Sequence, residues 1–349
     1  MRMMAVGAGR SLAGVSTRQP TPAAGDVGEW IAARYRHFAE LEAPGRSPLY
    51  VRIATAVAAD RYAIEFLARL PPAKWQPNLL FGTVRYLYGT AAGPDEFLEL
   101  LRAHGDEIAA LMSVRATQTN EPARCATLLP VLARLPPPLA LLEVGASAGL
   151  CLLPDCYAYD YGPAGTISPA RAVGTEPPVF RCRAGPATPV PDRNVEVSWR
   201  AGLDLHPVDL HRDADVRWLE ALVWPGEEYR IPTLRAACAI ARADPPGVVV
   251  GDLRTDLPAL AAQAPADATL VVFHTAVLGY LDDPGERAAL GRLVAGLGAV
   301  WISNEPPGVV AGVPEEVLRE RPPGDDFLLC VDGRATAWTD GHGTWIDWR

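Results

Sequence analysis

The chain has 349 residues, 49% of them hydrophobic and 21% charged, and a formal net charge of −9 from 32 basic and 41 acidic side chains. Such a chain is long enough for one large domain or two ordinary ones, with the composition of a globular protein. The acidic excess argues against broad nucleic-acid binding, which needs a basic surface, and no apolar run approaches the ~18 residues of a membrane span.

Residues 1–27 read as a disordered tail, because Gly7, Gly9 and Arg10 interrupt the only apolar stretch before a secretory core can form. Six cysteines without a CxxC pair are expected to be free thiols in a cytoplasmic protein, with no metal site.

Residues 28–137 follow a helical pattern, beginning with Trp30, Ile31, Arg34, Tyr35, Phe38 and Leu41. Ser47-Pro48 is a helix start, since Ser caps and Pro suits the first helical position. Asp60 is placed to cap a second helix. Pro77 opens a third, which Gly89 closes. Two further helices follow from Pro94 and Asp106, and a last one runs over about 122–134. Pro136-Pro137-Pro138 then marks a boundary.

Beyond it the texture changes to that of a Rossmann-like α/β domain over 138–349. Leu139–Val144 is a short apolar run ending in glycines, as a buried parallel strand should be. A Pro/Gly-rich insertion occupies about 163–194. Strands are predicted at 195–205, 247–253, 269–274 and 299–303, with helices at 230–242 and 285–297. Asp332-Gly333 is placed to turn a terminal β-hairpin. Strands alternating with helices imply a mainly parallel sheet covered on both faces.

The motif Glu143-Val-Gly145-Ala146-Ser147-Ala-Gly149-Leu150 has two readings. In the first it is the cofactor loop of a class I methyltransferase, whose pattern is acidic-x-Gly-x-Gly-x-Gly, here with Ser147 at the middle Gly. Glycines let backbone approach a ligand, and a following helix presents free N–H groups to it. In the second, Gly145-x-Ser147-x-Gly149 is the nucleophile elbow of an α/β serine hydrolase, with Asp252 and either His274 or His342 completing a triad. The helical residues upstream and the lack of a His-Gly-Gly loop favour the first. A non-catalytic ligand-binding protein of the same fold is a third possibility, since fold does not fix function.

Ligands of open α/β sheets bind beyond the carboxyl ends of the strands. S-adenosylmethionine is therefore expected against Glu143, Gly145, Ala146, Ser147, Gly149, Leu150, Asp204, Asp252 and Leu253. Asp204 would meet ribose hydroxyls, and Asp252 with Leu253 the adenine. His274 is the expected base, with Glu305 a second catalytic candidate near the substrate. Gln118, Asn120, Glu121, Arg124 and Tyr159 are expected against a small-molecule substrate. Nothing in the sequence names the methyl acceptor or the oligomeric state.

The segments TQTNEPARC, LLEVGASAGL, YAYDYG, GLDLHPVD, VWP, VVFHTAVLGYL, WISNEPP and DGHGTWIDW together resemble domain-of-unknown-function family 2332, an uncharacterised bacterial family, over roughly residues 28–349. The resemblance implies one continuous unit. Two departures from the family pattern are Cys151, where Asn is usual, and Cys156, where Arg is.

Overall fold

The computed structural model describes residues 27–118, 120–174, 176–281, 283–310, 312–322 and 326–349. The expected tail, up to residue 26, and Thr119 lie outside them.

The first third forms six helices: α1 (Val27–His37), α2 (Pro48–Ala59), α3 (Arg61–Ala68), α4 (Pro77–Tyr88), α5 (Pro94–Ala103) and α6 (Gly105–Val114). Their starts are those the local chemistry dictates. Tyr50 N–H donates to Ser47 Oγ at 3.3 Å, and Ala63 N–H donates to Asp60 Oδ1 at 2.8 Å. Gly89 ends α4 at φ +86°, a conformation open to glycine. α7 (Cys125–Leu132) follows and is buried along its whole length.

The remainder builds strands β1 (Leu139–Val144), β2 (Ala158–Asp160), β3 (Thr166–Ile167), β4 (Val179–Arg181), β5 (Arg183–Ala184), β6 (Val197–Asp204), β7 (Gly247–Val250), β8 (Thr269–Thr275), β9 (Val300–Glu305), β10 (Asp326–Val331), β11 (Arg334–Asp340) and β12 (Trp345–Trp348). Between them lie α8 (Asp213–Ala221), α9 (Arg230–Ala243), α10 (Leu257–Ala261), α11 (Pro284–Gly296) and α12 (Glu315–Arg319). Nine strands form one sheet in the order β5-β12-β11-β10-β9-β8-β1-β6-β7. β7, β6, β1, β8 and β9 are parallel neighbours, and β10 to β12 continue antiparallel. Of the expected insertion, β3 and β4 form a small sheet with the preceding β2, and β5 joins the edge of the main sheet.

β1 is buried at every position because both faces are covered. Leu139 and Leu141 pack on one side with α7 and α9. Leu142 and Val144 pack on the other with α10 and α11. The first six helices have a separate core around Phe38, Phe66 and Phe81, which also takes in Trp218 of α8 and Trp224. Helices from both halves of the chain thus close one layer over the carboxyl edge of the parallel strands. No helix among the described residues is long and apolar enough to cross a membrane. All six cysteines are free and buried.

One expectation for the sheet is overturned. No α-helix follows the glycine loop: two 3-10 turns, Leu150–Leu152 and Pro154–Cys156, lead directly into β2. Pro154 is the reason. A helix begun at Leu150 would need an N–H from residue 154 to its carbonyl, and proline has none. That carbonyl instead accepts the Tyr157 hydroxyl at 2.8 Å.

Candidate ligand site

The order of strands reverses at β1: β6 lies on one side and β8 on the other, though both follow it in the chain. This is where open α/β sheets place their sites, and the Gly145–Gly149 loop leaves β1 there. Gly145, Ser147 and Gly149 all have positive φ, +71°, +50° and +70°. A Cβ on Gly145 would lie 2.5 Å from Val277 Cγ2, and one on Gly149 would lie 2.5 Å from Pro246 Cγ. The glycines therefore admit protein side chains, not an open cradle.

The loop amides are also engaged. Ser147 N–H donates to Asp204 Oδ2 at 2.8 Å, while Asp204 Oδ1 accepts from His206 N–H at 2.7 Å. Ala148 N–H donates to Asn120 Oδ1 at 2.9 Å, and Asn120 Nδ2 donates to Ser147 Oγ at 2.6 Å. Gln118 reaches the His206 carbonyl beside them. Ala146, Ser147 and Leu150 are buried. Asp204, expected on ribose, thus holds the loop itself. Glu143 lies beneath, fully buried near Cys151 and Arg124. Burial raises its carboxyl well above the ordinary range, and its Oε2 has no hydrogen-bond partner.

Several expected roles are corrected. His274 is fully buried: its Nδ1 pairs with Glu305 Oε1 at 2.7 Å and its Nε2 accepts Trp301 Nε1–H at 3.0 Å. Strand alternation puts His274, Trp301 and Glu305 on the α11 side of the sheet, while Thr275 and Asn304 face α7. With both nitrogens occupied, His274 is no base for a ligand. Glu305 accepts Val277 N–H at 2.8 and 3.1 Å, and so anchors the turn in which Ala276 is held at φ +58°. The hydrolase triad is not assembled either, since neither His274 nor His342 hydrogen bonds with Ser147. Asp252 is paired with Arg254 in an exposed turn, with Leu253 next to it, at the far edge of the sheet. Tyr159 is buried in the small sheet, its hydroxyl donating to the Pro154 carbonyl at 2.7 Å.

Four expected residues do meet at one place. Gln118, Asn120 and Arg124 line a cavity of about 330 Å³ between the helical layer and the carboxyl edge of the sheet, and Glu121 stands behind it, held by Arg230. Ala276, Pro306, Gly341 and His342 complete the sheet side; Arg46, Trp224 and Arg230 complete the helical side. Arg124 is 3% exposed. It donates through Nε to the Gly341 carbonyl at 2.8 Å and through Nη1 to the Thr275 carbonyl and hydroxyl, both at 3.1 Å. Arg46 stacks 4.1 Å from the Trp224 ring centre and pairs with Glu227 at 2.9 Å. Arg230 pairs with Glu227 at 2.6 Å and with Glu121. A second cavity, of about 720 Å³, adjoins the first and shares Arg230 and His342 with it.

Sequence reasoning missed Arg46, Glu227 and Arg230. The last two follow the Val223-Trp224-Pro225 segment closely enough to have been found with it. Arg46 precedes a capped helix and carries no local signal.

The fold and site define an α/β protein with a cavity at the carboxyl edge of a mostly parallel sheet, next to the Asn120 that holds the loop after β1. The chain belongs to the family described as uncharacterised protein conserved in bacteria (DUF2332), which it matches over residues 32–348. No curated protein and no solved structure matches it. Segments that carry the family resemblance, those at 117–125, 223–225, 271–281, 301–307 and 340–348, all contribute to the wall of this one cavity.

Proposed function

We propose that this protein is a Rossmann-like, methyltransferase-type α/β protein that binds a small molecule in the cavity bounded by Arg46, Arg124, Arg230 and His342. The observation that carries this reading is the convergence of five sequence-distant segments on one cavity at the carboxyl edge of the sheet. Ligand cavities of such folds lie there and are usually preformed, with volumes in the range of roughly 300–1,000 Å³.

S-adenosylmethionine is the cofactor that the strand order implies. Read in chain order from β1, the parallel strands run 3-2-1-4-5, as in dinucleotide- and methyltransferase-type sheets. The residues present do not offer it the expected seat. Val277, Pro246, Asn120 and Asp204 fill the space and the hydrogen bonds a nucleoside would use. Binding at the cavity is therefore the leading reading. Methyl transfer is the second, favoured by strand order alone.

A thermal-shift screen of small metabolites, with calorimetric titration of the hits, tests the first. No hit from a broad set against folded protein would remove it. Titration with S-adenosylhomocysteine, on the wild type and on Asn120→Ala, separates the second. Micromolar binding that tightens when Asn120 is removed would restore the methyltransferase reading. Absence of binding to both would leave the cavity as the site.

A further inference from the structure

The cavity wall carries hydrogen-bond donors without a partner among the described residues: Arg230 Nε, which is enclosed, and two more on Arg124 and His342. A guanidinium has five N–H donors. Three of those on Arg124 are spent on Gly341 and Thr275, as described, and Nη2 has no acceptor among the described residues. No carboxylate among them forms an ion pair with Arg124, although the residue is 97% buried by its 3% exposure.

The second of the two is on the His342 ring. Arg46 Nη2 lies 3.0 Å from His342 Nε2. A guanidinium only donates, so Nε2 is the acceptor and the ring proton is on Nδ1. Nδ1 has no partner among the described residues, and the ring lines both cavities. Burial and the nearby Arg230, Arg46 and Arg124 push the imidazole well below its ordinary pKa, in keeping with this neutral form.

The other charges nearby are accounted for. Arg46 and Arg230 are neutralised by Glu227 and Glu121. Glu42, Asp326 and Arg321 line the same cavity and have interactions of their own. The Glu143 carboxyl nearby is pushed toward its neutral form by burial. What remains is Arg124, a buried cation with no ion-pair partner among the described residues. Leaving it so is costly in a low-dielectric site, and a ligand oxyanion is the group that satisfies it, with short charge-assisted hydrogen bonds.

We infer that the cavity is an oxyanion site: it binds the carboxylate or phosphate group of a small molecule on Arg124 Nη2 and His342 Nδ1–H. The Arg46–Glu227–Arg230–Glu121 chain lines the same wall and holds His342 in place through Arg46. This deepens the reading of the cavity as the ligand site by naming the chemical class of the ligand.

The test is calorimetric titration of the full chain with inorganic phosphate and, separately, with succinate, against sodium chloride at matched ionic strength. Saturable binding of either probe is expected, weakened by about tenfold or more in Arg124→Met and severalfold in His342→Ala, as loss of a charge-assisted or neutral hydrogen bond requires. The probe that saturates tells a phosphate ligand from a carboxylate one. If Arg124→Met does not fold, His342→Ala alone decides. Binding unchanged in the folded variants, or no saturation by either probe with the wild type, overturns the inference. A neutral metabolite that still stabilises the protein would then leave the ligand-cavity reading standing, so the two failures are distinguishable.

Discussion

Arg46 and His342 are joined by a hydrogen bond of 3.0 Å between Nη2 and Nε2, across 296 positions of sequence. It ties the loop before α2 to the turn after β11, and so ties the helical layer to the sheet. The tie works only while the imidazole accepts, that is, while it is neutral.

Acid should therefore loosen it. The folded-state pKa of His342 is depressed, so its contribution to stability is present above its ordinary value of 6.5 and is lost as pH falls below it. Denaturant unfolding at pH 8.0 and pH 5.5 should show a drop for the wild type that is smaller in His342→Gln. An equal drop in both would remove this residue from the acid response.

Glu143 has the opposite sign. Burial raises its folded pKa well above 4.5, so its stabilising proton is fully held below that value and the advantage is lost as pH rises toward the folded pKa. Glu143→Gln cannot ionise. The variant should gain stability relative to the wild type as pH is raised from 5 to 8, read from paired urea melts. A constant difference across that range would mean that the carboxyl titrates as usual.

Asn120 and Ser147 share a hydrogen bond but stand to lose different amounts. Ser147→Ala removes one neutral contact, about 1 kcal/mol. Asn120→Ala also strips the acceptor from the Ala148 amide, which adds roughly 1–3 kcal/mol for an unsatisfied buried group. Asn120→Ala should thus be the more destabilising in urea unfolding. Ser147→Ala should leave any ligand turnover intact, whereas its abolition would return the serine to a nucleophile's role.

Removing Arg230 should be severe. It pairs with Glu121 and Glu227, which are 4% and 7% exposed, and its loss leaves both carboxylates buried without it. A penalty of about 3–5 kcal/mol is expected for Arg230→Met by chemical denaturation. Adding Glu121→Gln should recover part of it. Additive penalties in the double variant would show that the pair is not coupled.

Much of the local architecture was legible because it is set by neighbours in the chain. The caps at Ser47 and Asp60, the stop at Gly89, the apolar run of β1 and the alternation of strands and helices rest on spacings of a few residues. The motif at 145–149 was legible as a glycine loop after a strand for the same reason. Its occupant was not: the Val277 and Pro246 side chains over Gly145 and Gly149 come from 132 and 97 residues away. Nor did composition show that α8 and Trp224 join the first helical layer, since each has apolar residues enough for either core.

The sequence by itself determined that this is an α/β protein with a glycine loop after its first sheet strand, because periodicity and capping are local properties. The tertiary structure alone decided what that loop and the buried polar residues do. Which face a strand side chain occupies set His274 and Glu305 against each other, away from the cavity. Which distant groups meet set Arg124, with no ion-pair partner among the described residues, in the same cavity wall as a histidine that must donate. Both depend on contacts between segments 31 to 296 residues apart, where hydrogen bonds and charges are completed by folding and leave no periodic trace in the chain.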